Sequence, residues 1–244
     1  MLNKADERVE KGKLFGKKKS KDFDNIYHKS NQILLKLIVD KINKEKVVIS
    51  DYGGGNGIVS KEIKKLLIKK GIKEFKIEVI DIDNKKFVKD IRFNNIKEDI
   101  TSFSKKAFYD YSIARLVLHY LSITQQRKFI KKAYENLKQG GYFLVINWFT
   151  DNPKEYKIRN NLFAFVSKEK GISRRTIPKS KILLNICKKQ GFKLVSKRKF
   201  IYRLSINDFF RNRYGLSEKS IDYIINKLKI KGYADPIIGY LFKR

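Results

Sequence analysis

Apolar positions along this chain follow two alternating rhythms. Residues 23–42 set Ile33, Leu34, Leu37, Ile38 and Ile42 near helical spacing and predict a helix. Residues 47–51 form a short apolar run, a buried strand, and 58–70 return to helical spacing. Phe75, Ile77 and Val79 then alternate, which predicts a strand over 75–81. A short helix is expected at 83–89 and strands at 91–96 and 111–118, followed by a helix at 124–137. Gly140 and Gly141 are expected to close that helix before a fifth strand at 142–149. Residues 151–177 are polar with one helical patch and read as an excursion. A helix at 178–190, a strand at 192–200, a second excursion with two helices at 205–234 and a last strand at 237–242 complete the pattern. Strand and helix in regular succession imply an α/β fold, with a mostly parallel, doubly wound sheet covered on both faces.

Composition narrows the class. At 244 residues and 42% hydrophobic content the chain can bury a full core, read here as one domain over 23–244 after a basic tail at 1–22. The opening residues MLNKADERVE carry no apolar signal segment, and no apolar run approaches the ~18 residues of a membrane helix. A cytoplasmic protein without a transmembrane segment is expected. The single Cys187 excludes an internal disulfide and a multi-cysteine zinc site, and no metal is expected. Net charge is +32, which can mark a nucleic-acid surface. Lysine supplies 45 of the 57 basic residues, however, and is spread through every segment, so a compositional background is the favoured reading. The one modest cluster is Gly16 to Lys21.

Chemistry concentrates after the first predicted strand, in Asp51-Tyr52-Gly53-Gly54-Gly55-Asn56-Gly57. Ligands of doubly wound sheets sit at the carboxyl ends of the strands. A dinucleotide fingerprint starting at Gly53 fails, because its third glycine would fall on Ile58. A phosphate loop fails too, because Gly57 is followed by Ile58 and Val59. The spacing that fits is an acid followed by alternate glycines: Asp51, Gly53, Gly55 and Gly57. A carboxylate there repels pyrophosphate but attracts the sulfonium and ammonium of S-adenosylmethionine. A plain tight turn is the alternative. Two further acids favour the cofactor. Asp81 closes the second strand, where it can accept both ribose hydroxyls, with Asp83 better suited to cap the next helix. Asp99 closes the third strand, where it can accept the adenine amine, and Ile100 can pack on the base.

These residues carry a family resemblance. The chain resembles the class I S-adenosylmethionine-dependent methyltransferases through DYGGGNG (51–57), VIDID (79–83), KEDIT (97–101), YDYSIARLVLHYL (109–121) and LKQGGYFLVINWF (137–149). The resemblance covers residues 25–150 and implies a Rossmann-like, seven-stranded sheet. It implies that Asp51 and the glycines face the methionine end, Asp81 the ribose and Asp99 the adenine. It also implies that Ala114 and Arg115 line the cofactor after the fourth strand. The family joins its last two strands by a short hairpin; residues 205–234 stand there instead, and the two excursions are expected to cap the site.

The methyl acceptor is less legible. His119 is a candidate general base, with packing behind the cofactor as the alternative. Tyr27 and His28 lie on an N-terminal helix that often lids the site in the family, and Trp148 ends the fifth strand; each is a candidate substrate contact, with a helix-face role the favoured reading for the first two and core packing the alternative for Trp148. Phe163, Phe165, Phe209, Phe210 and Tyr214 fall in the excursions and either line an apolar pocket or pack the cap. Arg174, Arg175, Arg211 and Arg213 are candidate anion contacts, with a solvated cap surface as the default reading. A small-molecule or lipid-precursor acceptor is favoured. An RNA acceptor is the alternative, although Ala114 to Val117 stand where an Asn-Pro-Pro-Tyr stretch would. A non-catalytic cofactor-binding partner protein is the third reading.

Overall fold

The computed structural model describes residues 21–83, 90–172, 175–205, 207–228, 230 and 233–244. The chain opens with helix α1 (Lys21–Val39) and strand β1 (Lys46–Tyr52), then α2 (Ile58–Lys69), β2 (Glu74–Asp81), β3 (Phe93–Lys97) and β4 (Tyr109–Arg115). A 3-10 turn at Leu118–Tyr120 leads to α3 (Ile123–Asn136), β5 (Leu137–Trp148), α4 (Pro153–Lys170) and α5 (Ser180–Lys189). Strand β6 (Lys193–Leu204), a π-helical turn at Asn207–Arg213, α6 (Glu218–Asn226) and β7 (Tyr233–Lys243) follow. The seven strands form one sheet in the order β3-β2-β1-β4-β5-β7-β6. Strands β1 to β5 run parallel, and β7 is antiparallel to both neighbours. The seven-stranded, Rossmann-like α/β sheet read from the sequence is the sheet observed.

Each face of the sheet has its own core. Ile49, Ile113 and Leu144 pack with Leu34 and Ile38 of α1 and Ile63 of α2 on one side. Phe143 and Val145 pack with Phe129 of α3 and Leu183 of α5 on the other. Burying one such side chain stabilises the fold by about 1.5–3 kcal/mol, so central strands buried on both faces read as unbroken apolar runs. Among the described residues no helix is long and apolar enough to cross a membrane.

Several expected boundaries shift for local reasons. The fourth strand was expected to reach Leu118 but ends at Arg115, because Leu116 takes a left-handed backbone with φ 56°. Gly140 and Gly141 do not close α3. The helix passes directly into β5 at Leu137, and its last carbonyls are taken by Ala107 and Phe108, whose N–H groups donate to Glu135 and Asn136 at 2.9 and 2.8 Å. The glycines sit instead in a bulge of β5, where the pairing jumps from Tyr109–Leu137 to Tyr111–Tyr142. Gly140 has φ 77°, and a Cβ on Gly141 would lie 2.9 Å from the Lys138 carbonyl oxygen, so both positions favour glycine. β6 runs four residues past the expected Phe200 because its pairing with β7 continues to Leu204–Tyr233. The helix expected at 83–89 lies outside the described residues except for Asp83. So does the basic tail at 1–22, except for Lys21 and Asp22, which open α1.

The first excursion forms α4, and the second forms the π-helical turn and α6. Phe165 of α4 stacks on Tyr223 of α6 at 4.7 Å between ring centres, so the two insertions meet. Phe209, Phe210 and Tyr214 are buried against one another. These aromatics pack the cap.

Candidate functional site

The turn after β1 adopts its shape through alternate left-handed residues. Gly53, Gly55 and Gly57 have φ 66°, 53° and 69°, and Gly57 is the N-cap of α2. Side chains other than glycine are strained in that region. A Cβ on Gly53 would lie 2.5 Å from Cγ2 of Val117, so β4's trailing loop closes on the turn. Gly54, outside the alternate spacing, is equally constrained, because a Cβ there would lie 2.5 Å from Val79. Gly55 differs: its nearest contact would be Asp81 at 3.9 Å, which leaves space over the turn.

Two bonds stitch the turn to β2. Gly53 donates to the Ile80 carbonyl at 2.7 Å, and Gly55 donates to Oδ2 of Asp81 at 2.8 Å. Asp81 Oδ1 accepts from the Asp83 N–H at 2.9 Å. Asp51 is buried and its Oδ2 accepts from Ser60 Oγ on α2 at 2.6 Å. Burial pushes the Asp51 carboxyl up to about 7, with the negative Asp81 adding to the rise against the lowering bond from Ser60. Asp99 is exposed and its Oδ1 accepts from the Thr101 N–H at 2.8 Å, while Ile100 is buried in the second core. The turn thus carries Asp51, is bonded to Asp81 and contains no lysine or arginine, a set that fits a cationic cofactor better than a pyrophosphate.

On the other side of β1, β4 delivers Ala114 and Arg115. Ala114 pairs with Tyr52 across the ladder and is buried in the second core. Arg115 turns to the α1 face, where Nη2 donates to Ser30 Oγ at 3.3 Å and to the Tyr202 hydroxyl at 3.1 Å. The Tyr27 ring lies over its guanidinium, 3.8 Å from carbon to ring centre. His28 points elsewhere: its Nδ1 is 3.3 Å from Glu62 Oε1 on α2, so α1 separates these two neighbours.

His119 follows β4 and is buried, with Nδ1 3.3 Å from Asn147 Oδ1. That contact assigns the proton to Nδ1 and leaves Nε2 as an acceptor. Burial lowers its pKa to about 3, with the Arg175 charge lowering it further against the Asn147 bond. Trp148 is buried, 5.6 Å from His119 and stacked on Phe163 at 5.9 Å. Arg175 is buried with its guanidinium 5.0 Å from the Tyr120 ring centre, and Arg211 pairs with Glu218 at 2.5 Å. Arg174 and the Arg213 side chain lie outside the described residues.

A family model described as Methyltransferase domain matches residues 25–197, which include the carboxyl ends of β1 to β5. The chain belongs to the class I S-adenosylmethionine-dependent methyltransferase family. Its cofactor is S-adenosylmethionine, and the residues around the glycine turn fit it. The methyltransferase is 24% identical over 188 residues to the carboxy-S-adenosyl-L-methionine synthase of Staphylococcus epidermidis, covering 71% of this chain and 79% of that one. In fold it is similar to a Bacillus halodurans protein solved as a candidate methyltransferase, with TM-score 0.66, 16% identity, and 86% and 96% of the two chains covered. It is also similar to the 1,6-didemethyltoxoflavin-N1-methyltransferase of Burkholderia thailandensis, with TM-score 0.54, 10% identity, and 89% and 77% covered. That enzyme was solved with 1,6-didemethyltoxoflavin and S-adenosylhomocysteine bound.

Within the methyltransferase, the structure brings Asp51, Asp81, the glycines, Arg115 and Tyr27 to one end of the sheet. Sequence reading missed Ser60, Gly54, Ser30 and Tyr202. Gly54 lay inside the quoted motif and was passed over because it broke the alternate spacing. Tyr202 had no local signal, since its bond to Ser30, at 2.6 Å, spans 172 positions.

Proposed function

We propose that this methyltransferase transfers its methyl group to a small-molecule or lipid-precursor acceptor held between the strand ends and the cap. One observation carries the reading: at the end of β4 the buried Arg115 bonds to Ser30 of α1 and to Tyr202, with the Tyr27 ring over its guanidinium, polar surroundings shielded from water that suit a compact acceptor. When bound, the cofactor supplies an electrophilic methyl on sulfonium; an acceptor lone pair forms the new bond as the carbon–sulfur bond breaks, and the leaving thioether is neutral. The chain's own work is alignment and exclusion of water. In this reading Asp81 accepts the ribose hydroxyls while holding Gly55, and Asp99 accepts the adenine amine beside Ile100. Asp51 and the backbone of the turn face the methionine end. Tyr27 and Trp148 border the acceptor, and His28, turned to Glu62, fixes α1 to α2. His119 serves as a hydrogen-bond acceptor rather than as a base, because a group of such low basicity takes a proton poorly.

The net charge of +32 favours the RNA alternative, yet one group of lysines lies far from the glycine turn, with Lys44 and Lys138 paired to Asp110. A cavity of about 230 Å³ lined by Lys41, Lys44, Lys138 and Lys243 sits at the amino edge of the parallel strands, opposite the glycine turn. The test is incubation of the protein with methyl-labelled S-adenosylmethionine and a cell extract, followed by separation into RNA, protein, lipid and small-molecule fractions. Ribonuclease-resistant label in the organic or small-molecule fraction is the expected result. Label that disappears with ribonuclease would overturn it in favour of RNA.

A further inference from the structure

Arg115 ends β4 and is only 5% exposed. Of its five N–H donors, the three on Nε and Nη1 have no acceptor, and no ion pair reaches it among the described residues. A buried guanidinium in that state is costly, and buried polar groups left unpaired in a folded protein call for an explanation. The neighbouring surface repeats the feature. Asn31, next to Ser30 on α1, is fully buried, and neither its Nδ2 nor its Oδ1 has a partner. Across the ladder, Arg115 pairs with Ile146, and two residues further on the same face Trp148 holds an unpartnered Nε1. The orphaned set is rich in donors and poor in acceptors. A ligand that satisfies it must bring acceptors and negative charge.

We propose that Arg115, Asn31 and Trp148 form a carboxylate subsite, and that the methyl acceptor is a small organic acid. The inference rests on the methyltransferase reading of this sheet end. A carboxylate is also present on the cofactor's methionine end. The acceptor is the favoured source because the orphaned donors run from β4 and α1 onto Trp148 of β5, away from Asp81 at the end of β2. Charged hydrogen bonds strengthen when both partners are desolvated, and the N–H groups on Nε and Nη1 of this guanidinium can each donate to a carboxylate oxygen.

Trp148 is the only tryptophan, so its fluorescence reports on the subsite. Protein saturated with S-adenosylhomocysteine is titrated with acetate and benzoate, and separately with acetamide and benzamide. The expected result is a saturable change with at least one acid and none with its amide. Arg115→Lys weakens that response by about tenfold or more, the scale of a lost charged hydrogen bond. Arg115 also holds Ser30 and Tyr202, so Asn31→Leu serves as a second variant: it breaks no bond, keeps the melting temperature and still weakens the acid. Equal response to acid and amide, or none to either acid, overturns the subsite. A second arm measures S-adenosylhomocysteine and its decarboxylated analogue by calorimetry. If Arg115→Lys weakens only the former, the carboxylate is the cofactor's and the proposal fails. Failure of the wild type to bind S-adenosylhomocysteine at all would instead remove the methyltransferase reading beneath it.

Discussion

The Gly55 N–H donates to Oδ2 of Asp81 at 2.8 Å, so the acid at the end of β2 shapes the turn at the end of β1. Its other oxygen is held by the Asp83 N–H, which fixes the carboxylate plane. Asp81→Asn keeps an acceptor for Gly55 but loses the charge that the proposed reading offers to the ribose hydroxyls. Loss of a charged hydrogen bond costs about 1.5–3 kcal/mol, so affinity for S-adenosylhomocysteine should fall roughly 10- to 100-fold by calorimetry. Asp81→Ala should fall further, because the turn loses its anchor as well. Equal binding by Asp81→Ala and wild type would exclude both roles.

Asp51 is the acid through which pH should act on the proposed cofactor site. Its carboxyl titrates near 7 in the folded protein because burial disfavours the charge. As pH falls through about 7 the group gains a proton and loses its attraction for a sulfonium or ammonium, so cofactor affinity should drop. Stability without ligand follows the opposite course. The folded pKa stands above the ordinary 3.8, so the contribution is present below that value and is lost as pH rises through about 7. The wild type should therefore lose melting temperature between pH 5 and 8 relative to Asp51→Asn, and saturating S-adenosylmethionine should flatten the difference. Thermal melts across that range read both slopes. Parallel curves for the two proteins would mean that Asp51 titrates elsewhere.

Gly53 and Gly71 separate two reasons for a glycine. Both are left-handed, at φ 66° and 85°, so alanine at either costs about 1–2 kcal/mol of backbone strain. Nothing lies within 4 Å of a Cβ on Gly71, whereas one on Gly53 meets Val117 at 2.5 Å. Overpacking adds about 1–3 kcal/mol, so Gly53→Ala should lower the denaturation midpoint by about twice as much as Gly71→Ala. Val117→Ala in the same chain should recover part of the excess. Matching midpoints for the two single variants would place Val117 away from the turn.

How far the sequence could be read depended on the range of the interaction. The sheet was legible because β1 and β5 are continuous apolar runs between turn signals, and the glycine turn because its left-handed positions alternate. Long-range partners were not. Ser30 and Tyr202 meet only when β6 extends past Phe200 along β7, an extension set by pairing rather than by local composition. The glycine pair 140–141 misled for a related reason: its sequence resembles a helix C-cap, but the helix end is satisfied from residues 107 and 108, and the pair is used for a bulge. His119 could be placed after β4 from sequence, yet its chemistry could not, since that depends on complete burial and on Asn147.

His119 gives the last prediction. General bases contribute about 10²–10⁴-fold to proton-transfer catalysis and work best when their pKa lies near the working pH. His119 is neutral throughout that range, with a pKa lowered to about 3 by burial, and its Nδ1 proton is turned to Asn147. Asn147 Oδ1 keeps a second donor, the Trp148 N–H at 2.9 Å, if the imidazole is removed. His119→Phe should therefore retain methyl transfer to within about tenfold of wild type in the labelled-extract assay, below the range of a lost base. Its pH dependence should match that of wild type, with any slope near neutrality carried by Asp51. A loss of about a thousandfold at unchanged melting temperature would restore His119 as the base.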